Sequence, residues 1–100
     1  MNSREETFIT GKGAIKVAYL AWKKDRLPKG REAIARYCEY LSAHEYGANA
    51  GDMLLTLDAM TEETAIGWIT YTVAEFVTDL ADMMKYVYGL RIYHTKKAAL

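Results

Sequence analysis

Between Thr61 and Tyr88, apolar residues recur at alternating steps of three and four: Ile66, Ile69, Val73, Phe76, Leu80, Met83 and Val87. This spacing keeps one side of an α-helix turned toward a partner. It predicts a single helix of about seven turns over 61–88. Thr61 stands where an N-cap belongs, and Glu62 and Glu63 place negative charge in the first turn. Lys85 lies near the other end, and Gly89 is a natural stop. On this reading the rest of the chain is arranged around that helix.

The same helix would carry two further stripes. Gly67, Ala74 and Ala81 repeat every seven residues, a row of small side chains that would admit a second helix or a second copy of the chain. A homodimer through these three residues is one expectation. Trp68, Thr72, Glu75, Asp79, Asp82 and Tyr86 form the other stripe, with carboxylates between aromatics and no positive residue among them.

Shorter elements precede it. Ile15, Ala18, Tyr19 and Trp22 take i, i+3, i+4 and i+7, which predicts a helix from about Ala14 to Asp25. Pro28, the only proline, ends it. A second helix is expected from about Arg31 to Tyr46, with Ile34, Tyr37, Cys38 and Leu41 as its apolar side. Glu32 and Arg36 form a supporting i, i+4 pair in it, and Gly47 follows. Asn49 to Asp52 reads as a loop holding an N-cap. Met53 to Ala59 reads as a short helix whose Met53, Leu54, Leu55 and Leu57 are too apolar to face water. Thr7–Thr10 and Leu90–Thr95 are β-favourable and would join the ends as a small two-stranded ribbon, which must pack on helices to persist. The alternative for 90–95 is a continuing helix. Residues 1–6 and 96–100 read as loose tails. The fold class is mainly α, a compact bundle of about four helices in one domain spanning 1–100.

Composition agrees with that picture. The chain has 100 residues, 51% hydrophobic and 26% charged, as a soluble globular domain does. Tyrosine is abundant at eight, and its apolar body with a polar tip suits a contact surface or the rim of a small core. With Cys38 as the single cysteine, no intramolecular disulfide can form, which fits a reducing compartment. No base adjoins Cys38 in sequence, so it reads as a small buried hydrophobe. No signal-peptide pattern opens the chain, and no apolar run reaches the roughly 18 residues of a membrane span. A cytoplasmic location away from the membrane is expected.

Charge changes the picture most. The net charge is zero, yet its distribution is uneven. Residues 1–36 hold nine Lys or Arg and four Asp or Glu; residues 85–100 hold four bases and no acid. Residues 37–84 hold nine acids and no Lys or Arg.

Chemical motifs are sparse. Gly11-Lys12-Gly13 lacks both the upstream glycine and the following Ser or Thr of a phosphate loop, and reads as a turn before the first helix. Glu75, Asp79 and Asp82 share a helix side in this reading, but no histidine joins them as di-metal bundles require. His44 and His94 lie far apart in sequence. No zinc, dinucleotide or nucleophile motif appears. The chain is expected to be non-enzymatic, with no catalytic residue, metal or cofactor.

Two functions remain. In the first, the acidic, aromatic-rich helix docks on a basic, nucleic-acid-handling surface of a larger protein or nucleoprotein complex. Trp68, Tyr71, Glu75, Asp79, Asp82 and Tyr86 would make the contact. Acidic side chains at helical spacing stand in for a phosphate backbone, whose attraction is largely electrostatic. Small phage inhibitors of anti-CRISPR or anti-restriction type use such mimicry as a class, and the analogy is one of class alone. In the second, Lys23, Lys24, Arg26, Lys29, Arg31 and Arg36 bind DNA or RNA directly. A helix-turn-helix about Asp58–Thr61 would place Thr61-Glu62-Glu63 at the groove with no base-reading side chain, which counts against it.

Overall fold

The computed structural model describes residues 13–44 and 46–89, of which five helices make up 79%. In chain order these are α1 (Ala14–Lys23), α2 (Pro28–Ala43), α3 (Ala50–Ala59), α4 (Glu62–Phe76) and α5 (Leu80–Tyr88). No strand occurs among the described residues. The ribbon expected from 7–10 and 90–95, and the tails, lie outside them.

Helix α2 is the centre. Pro28 occupies its first turn, so proline starts this helix three residues before the expected Arg31. Its missing N–H costs nothing there, and its fixed φ suits a helix start. Gly30, Ala33, Ile34, Tyr37, Cys38, Tyr40 and Leu41 are all buried, an arc broader than one stripe. The breadth follows from its neighbours: α1, α3 and α5 each pack against it. Helix α1 comes closest. A Cβ on Gly30 would lie 2.6 Å from the Ala18 carbonyl oxygen and 2.7 Å from the Trp22 nitrogen, so only glycine lets the backbones meet. Between these helices the chain turns through Arg26, which takes a left-handed φ of 56°.

The expected long helix is two helices. Val77 and Asp79 are extended, at ψ 93° and 101°. The Asp79 carboxylate accepts a hydrogen bond from the Asp82 amide at 3.1 Å and so caps α5. The apolar seam survives in two halves: Ile69, Val73, Met83 and Val87 are buried, and Ile66, Phe76 and Leu80 are half-buried. The halves go to different places, α4 against α1 and α5 against α2. A straight helix over 61–88 would run about 42 Å, whereas the 16 residues of α2 span about 24 Å. The break folds the overhang back onto the core.

The small-residue stripe is divided, with Gly67 and Ala74 on α4 and Ala81 on α5; all three are exposed, and a Cβ on Gly67 would meet nothing within 4 Å. Within the chain the close approach of small residues occurs at Gly30. Two further expectations change. Helix α3 starts at Ala50, capped by the Asn49 side chain on the Asp52 amide at 3.1 Å, and buries Met53 and Leu57. Leu55 is 67% exposed, against expectation, while Leu54 is half-buried against the core. Thr61 caps α4 through the Thr64 amide at 3.2 Å, and Gly89 closes α5 at φ 67°, as their residue types imply. No helix among the described residues is long and apolar enough to cross a membrane.

Candidate docking face and its aromatic cleft

The stripe from Trp68 to Tyr86 is divided by the break at 77–79. On α4, Thr72 turns inward and is fully buried. Its hydroxyl donates to the Ile69 carbonyl, leaving Tyr37 to donate to Thr72 across 2.7 Å. Burial raises the Tyr37 phenol well above its usual range. Burial likewise pushes the Cys38 thiol up to about 12, so this cysteine is held as a neutral thiol.

Trp68 is half-buried, and its indole N–H donates to the Tyr46 hydroxyl at 2.9 Å. The two rings meet at 86° with centroids 5.8 Å apart. Tyr46 also meets Phe76 edge-on at 4.9 Å, and Phe76 meets Tyr71 at 6.0 Å. Edge-to-face pairs of this kind are attractive beyond the area they bury. They lead from the core residue Tyr37, which touches Trp68 at 6.4 Å, out to Tyr71, which is 54% exposed on α4.

On α5, Asp79 is occupied as a cap, and Asp82 lies 3.8 Å from His44 Nε2. His44 Nδ1 is bonded to the Tyr40 carbonyl at 2.7 Å, so that nitrogen carries the hydrogen, and the ring stacks on Tyr40 at 3.9 Å. Tyr86, 42% exposed, packs edge-on against Tyr40 at 5.8 Å. Burial raises the Tyr40 phenol first, with Asp82 and Asp79 adding to the effect. Thus Glu75, Asp79 and Asp82 do not share one helix side. Glu75 stands exposed on α4, and the two aspartates serve the start of α5. No group of three or more His, Cys, Asp or Glu among the described residues is placed to hold a metal ion.

The basic segment is partly occupied. Lys23 Nζ bonds Asp58 at 2.6 Å, and Lys24 reaches Glu62 at 3.6 Å, so the end of α1 is clamped to the α3–α4 junction. Lys23 and Arg31 also lie beside the Trp22 ring, at 4.9 and 5.9 Å from its centre. Arg36 pairs with Glu32 within α2 at 3.9 Å. Arg26, Lys29 and Arg31 are exposed and form no ion pair among the described residues.

A cleft of about 220 Å³ lies between α3 and α4, with Tyr46 and Trp68 on one side and Met53, Leu57 and Met60 on the other. Asp52 stands exposed at its mouth. Sequence reasoning did not find Tyr46 or Met60, and it weighed His44 only as a distant companion of His94. For the cleft a signal exists: Met53, Leu57 and Met60 take i, i+4 and i+7, one side of a helix. The second helix was expected to run to Tyr46, but α2 ends at Ala43 with His44 as its C-cap, so His44 and Tyr46 lie beyond the helix.

No protein-family model matches the chain, nor does any curated protein or solved structure.

Proposed function

We propose that the chain is a non-enzymatic protein-binding module that docks its acidic side on a basic surface of a larger protein or nucleoprotein complex. The observation that supports this reading is incomplete neutralisation. Of the acids between 37 and 84, Asp58 is matched by Lys23 and Glu62 by Lys24, at the end of α1, and Asp82 lies near His44. Glu39, Asp52, Glu63, Glu75 and Asp79 have no ion-pair partner among the described residues. A fold that used its charges only on itself would pair more of them. The outer side of α4 combines Glu63 and Glu75 with exposed Tyr71 on a low-relief ground of Gly67, Thr70 and Ala74. Aromatic anchors inside a charged rim are the usual composition of an energetic contact. A basic, nucleic-acid-handling groove is the complementary surface, and inhibition by occupying such a groove is the corresponding role.

The test separates this from direct nucleic-acid binding through Arg26, Lys29, Arg31 and Arg36. Tagged protein is used to capture partners at low and moderate salt, and a short DNA duplex is titrated directly in parallel. Glu63→Lys/Glu75→Lys is the appropriate reversal, because changing Asp79 would also remove the cap of α5. The expected result is capture of proteins with basic nucleic-acid surfaces, lost in this variant and weakened by salt, with no shift of free duplex. A duplex shift abolished by neutralising Lys29, Arg31 and Arg36 would replace this reading with the basic-segment one.

A further inference from the structure

The cleft between α3 and α4 is apolar inside and acidic at its mouth. Met53 and Leu57 are buried, Met60 and Trp68 half-buried, and Asp52 is exposed with no ion-pair partner among the described residues. Its volume of about 220 Å³ falls below the roughly 300–1,000 Å³ of clefts that enclose a drug-sized molecule. A single long side chain is the occupant on that scale. The surroundings select its charge. No Lys or Arg occurs anywhere between 37 and 84, so nothing within this stretch competes for Asp52. An inserted acid would face Asp52, and an inserted aliphatic chain would leave it unmatched. A long cationic side chain satisfies both parts, with its methylene stem along Met53, Leu57, Met60 and Trp68 and its charged end at Asp52. Arginine suits the site better than lysine, because its planar head is weakly hydrated and packs on aromatic rings.

We propose that this cleft seats one arginine or lysine side chain presented by the basic protein partner. The proposal rests on the reading of the acidic side as the docking face, and it names where that face grips.

The test titrates the full-length protein with pentapeptides Ac-Gly-Gly-Xaa-Gly-Gly-NH2, in which Xaa is arginine, lysine or norleucine. Methionine methyl and tryptophan indole NMR signals report binding. The arginine peptide is expected to shift Met53, Met60 and Trp68, leave Met83 and Met84 in place, and bind at least about fivefold tighter than norleucine, a difference screened by salt. Asp52→Asn should erase the preference over norleucine. Should that variant fail to fold, Thr56→Arg at the mouth of the cleft provides an internal occupant and should abolish the shifts. Equal binding of norleucine and arginine would overturn the proposal. So would an arginine peptide that leaves Met53, Met60 and Trp68 unmoved. If partner capture still depended on Glu63 and Glu75 in that case, the docking face would stand and only the cleft would fall; loss of that dependence would remove both.

Discussion

Helix α2 and the stretch from Thr61 to Tyr88 invert the roles that their patterns suggest. The 61–88 stretch has the longer and more regular apolar seam, yet it divides into α4 and α5, and much of α4 faces water. Helix α2 carries Lys29, Arg31, Glu32 and Arg36 among its apolar residues, yet it buries seven residues and receives α1, α3 and α5. Periodicity reports that a helix has an inward side. It does not report how many neighbours share that side. A small residue does: Gly30 lets α1 approach α2 closely, while Gly67 and Ala74 lie open. Helix α4 meets the centre along one side, where Thr72 bonds Tyr37, and its other side, with Glu63, Gly67, Thr70, Tyr71, Ala74 and Glu75, stays exposed.

The largest expected effect is of pH, because it acts on Tyr37 and Cys38 inside α2 and on Tyr88 at the end of α5. Cys38 rises from an ordinary 9.0 to about 12, Tyr88 rises from 10.0 to about 12, and Tyr37 rises as well, all chiefly by burial. Each group is neutral when folded and would ionise earlier when unfolded. The stability it contributes is therefore whole below the unfolded value and is lost as pH rises toward the folded one. Stability should be flat up to about pH 9 in these terms, then fall by up to about 1.4 kcal/mol per pH unit for each group. Urea midpoints between pH 8 and 11 check this. A flat profile to pH 11 would mean that the interior of α2 is open to water.

Truncation comes next. Tyr37→Ala should destabilise by about 3–5 kcal/mol, as removal of a buried aromatic does. Tyr71→Ala on the exposed side of α4 should cost less than about 1 kcal/mol. Similar losses at the two sites would erase the distinction between core helix and surface helix.

The two glycines sharpen the contrast further, since the same substitution should have opposite signs. Gly30→Ala forces a methyl against backbone atoms of α1 and should cost about 1–3 kcal/mol, toward the upper end because backbone gives way least. Gly67→Ala meets open space and should stabilise by up to about 1 kcal/mol through helix propensity. Thermal melts of the pair decide the matter.

The smallest effect tests the break itself. Asp79→Ala removes the cap of α5 and should cost about 1 kcal/mol. Inside an unbroken helix the same change would stabilise by a few tenths of a kcal/mol, roughly the propensity difference. The sign of the change in melting temperature distinguishes the two.

Two helix ends were legible because they depend on single side chains, Thr61 and Gly89 acting as their types imply, and Ile34, Tyr37, Cys38 and Leu41 are the inward side of α2; the starts of α2 and α3 and the end of α2 each lie three residues earlier than expected. The break at 77–79 was hidden for a physical reason. Phe76 and Leu80 keep helical phase across it, so the seam runs on in the sequence while the backbone does not. The local signal was the β-branched pair Val77-Thr78 ahead of Asp79, with Asp82 three residues further on, an arrangement that favours a new helix start. The candidate face was legible as charge but not as shape. Asp79 and Asp82 are acids in composition and helix-end groups in structure, and the indole of Trp68 is held by the Tyr46 hydroxyl, which the pattern of α4 could not show.

Amide hydrogen exchange in the native state tests the central contrast most directly, because it reads the core of α2 and the break in one experiment. The account predicts that amides of residues 33–41 exchange only through global unfolding, while those of Thr78 to Ala81 exchange fast, since Leu80 and Ala81 open a helix whose first turn has no acceptor for them. Continuous slow exchange from Ile66 through Val87, at or above the protection of α2, would contradict it and restore the 61–88 stretch as one helix at the centre of the fold.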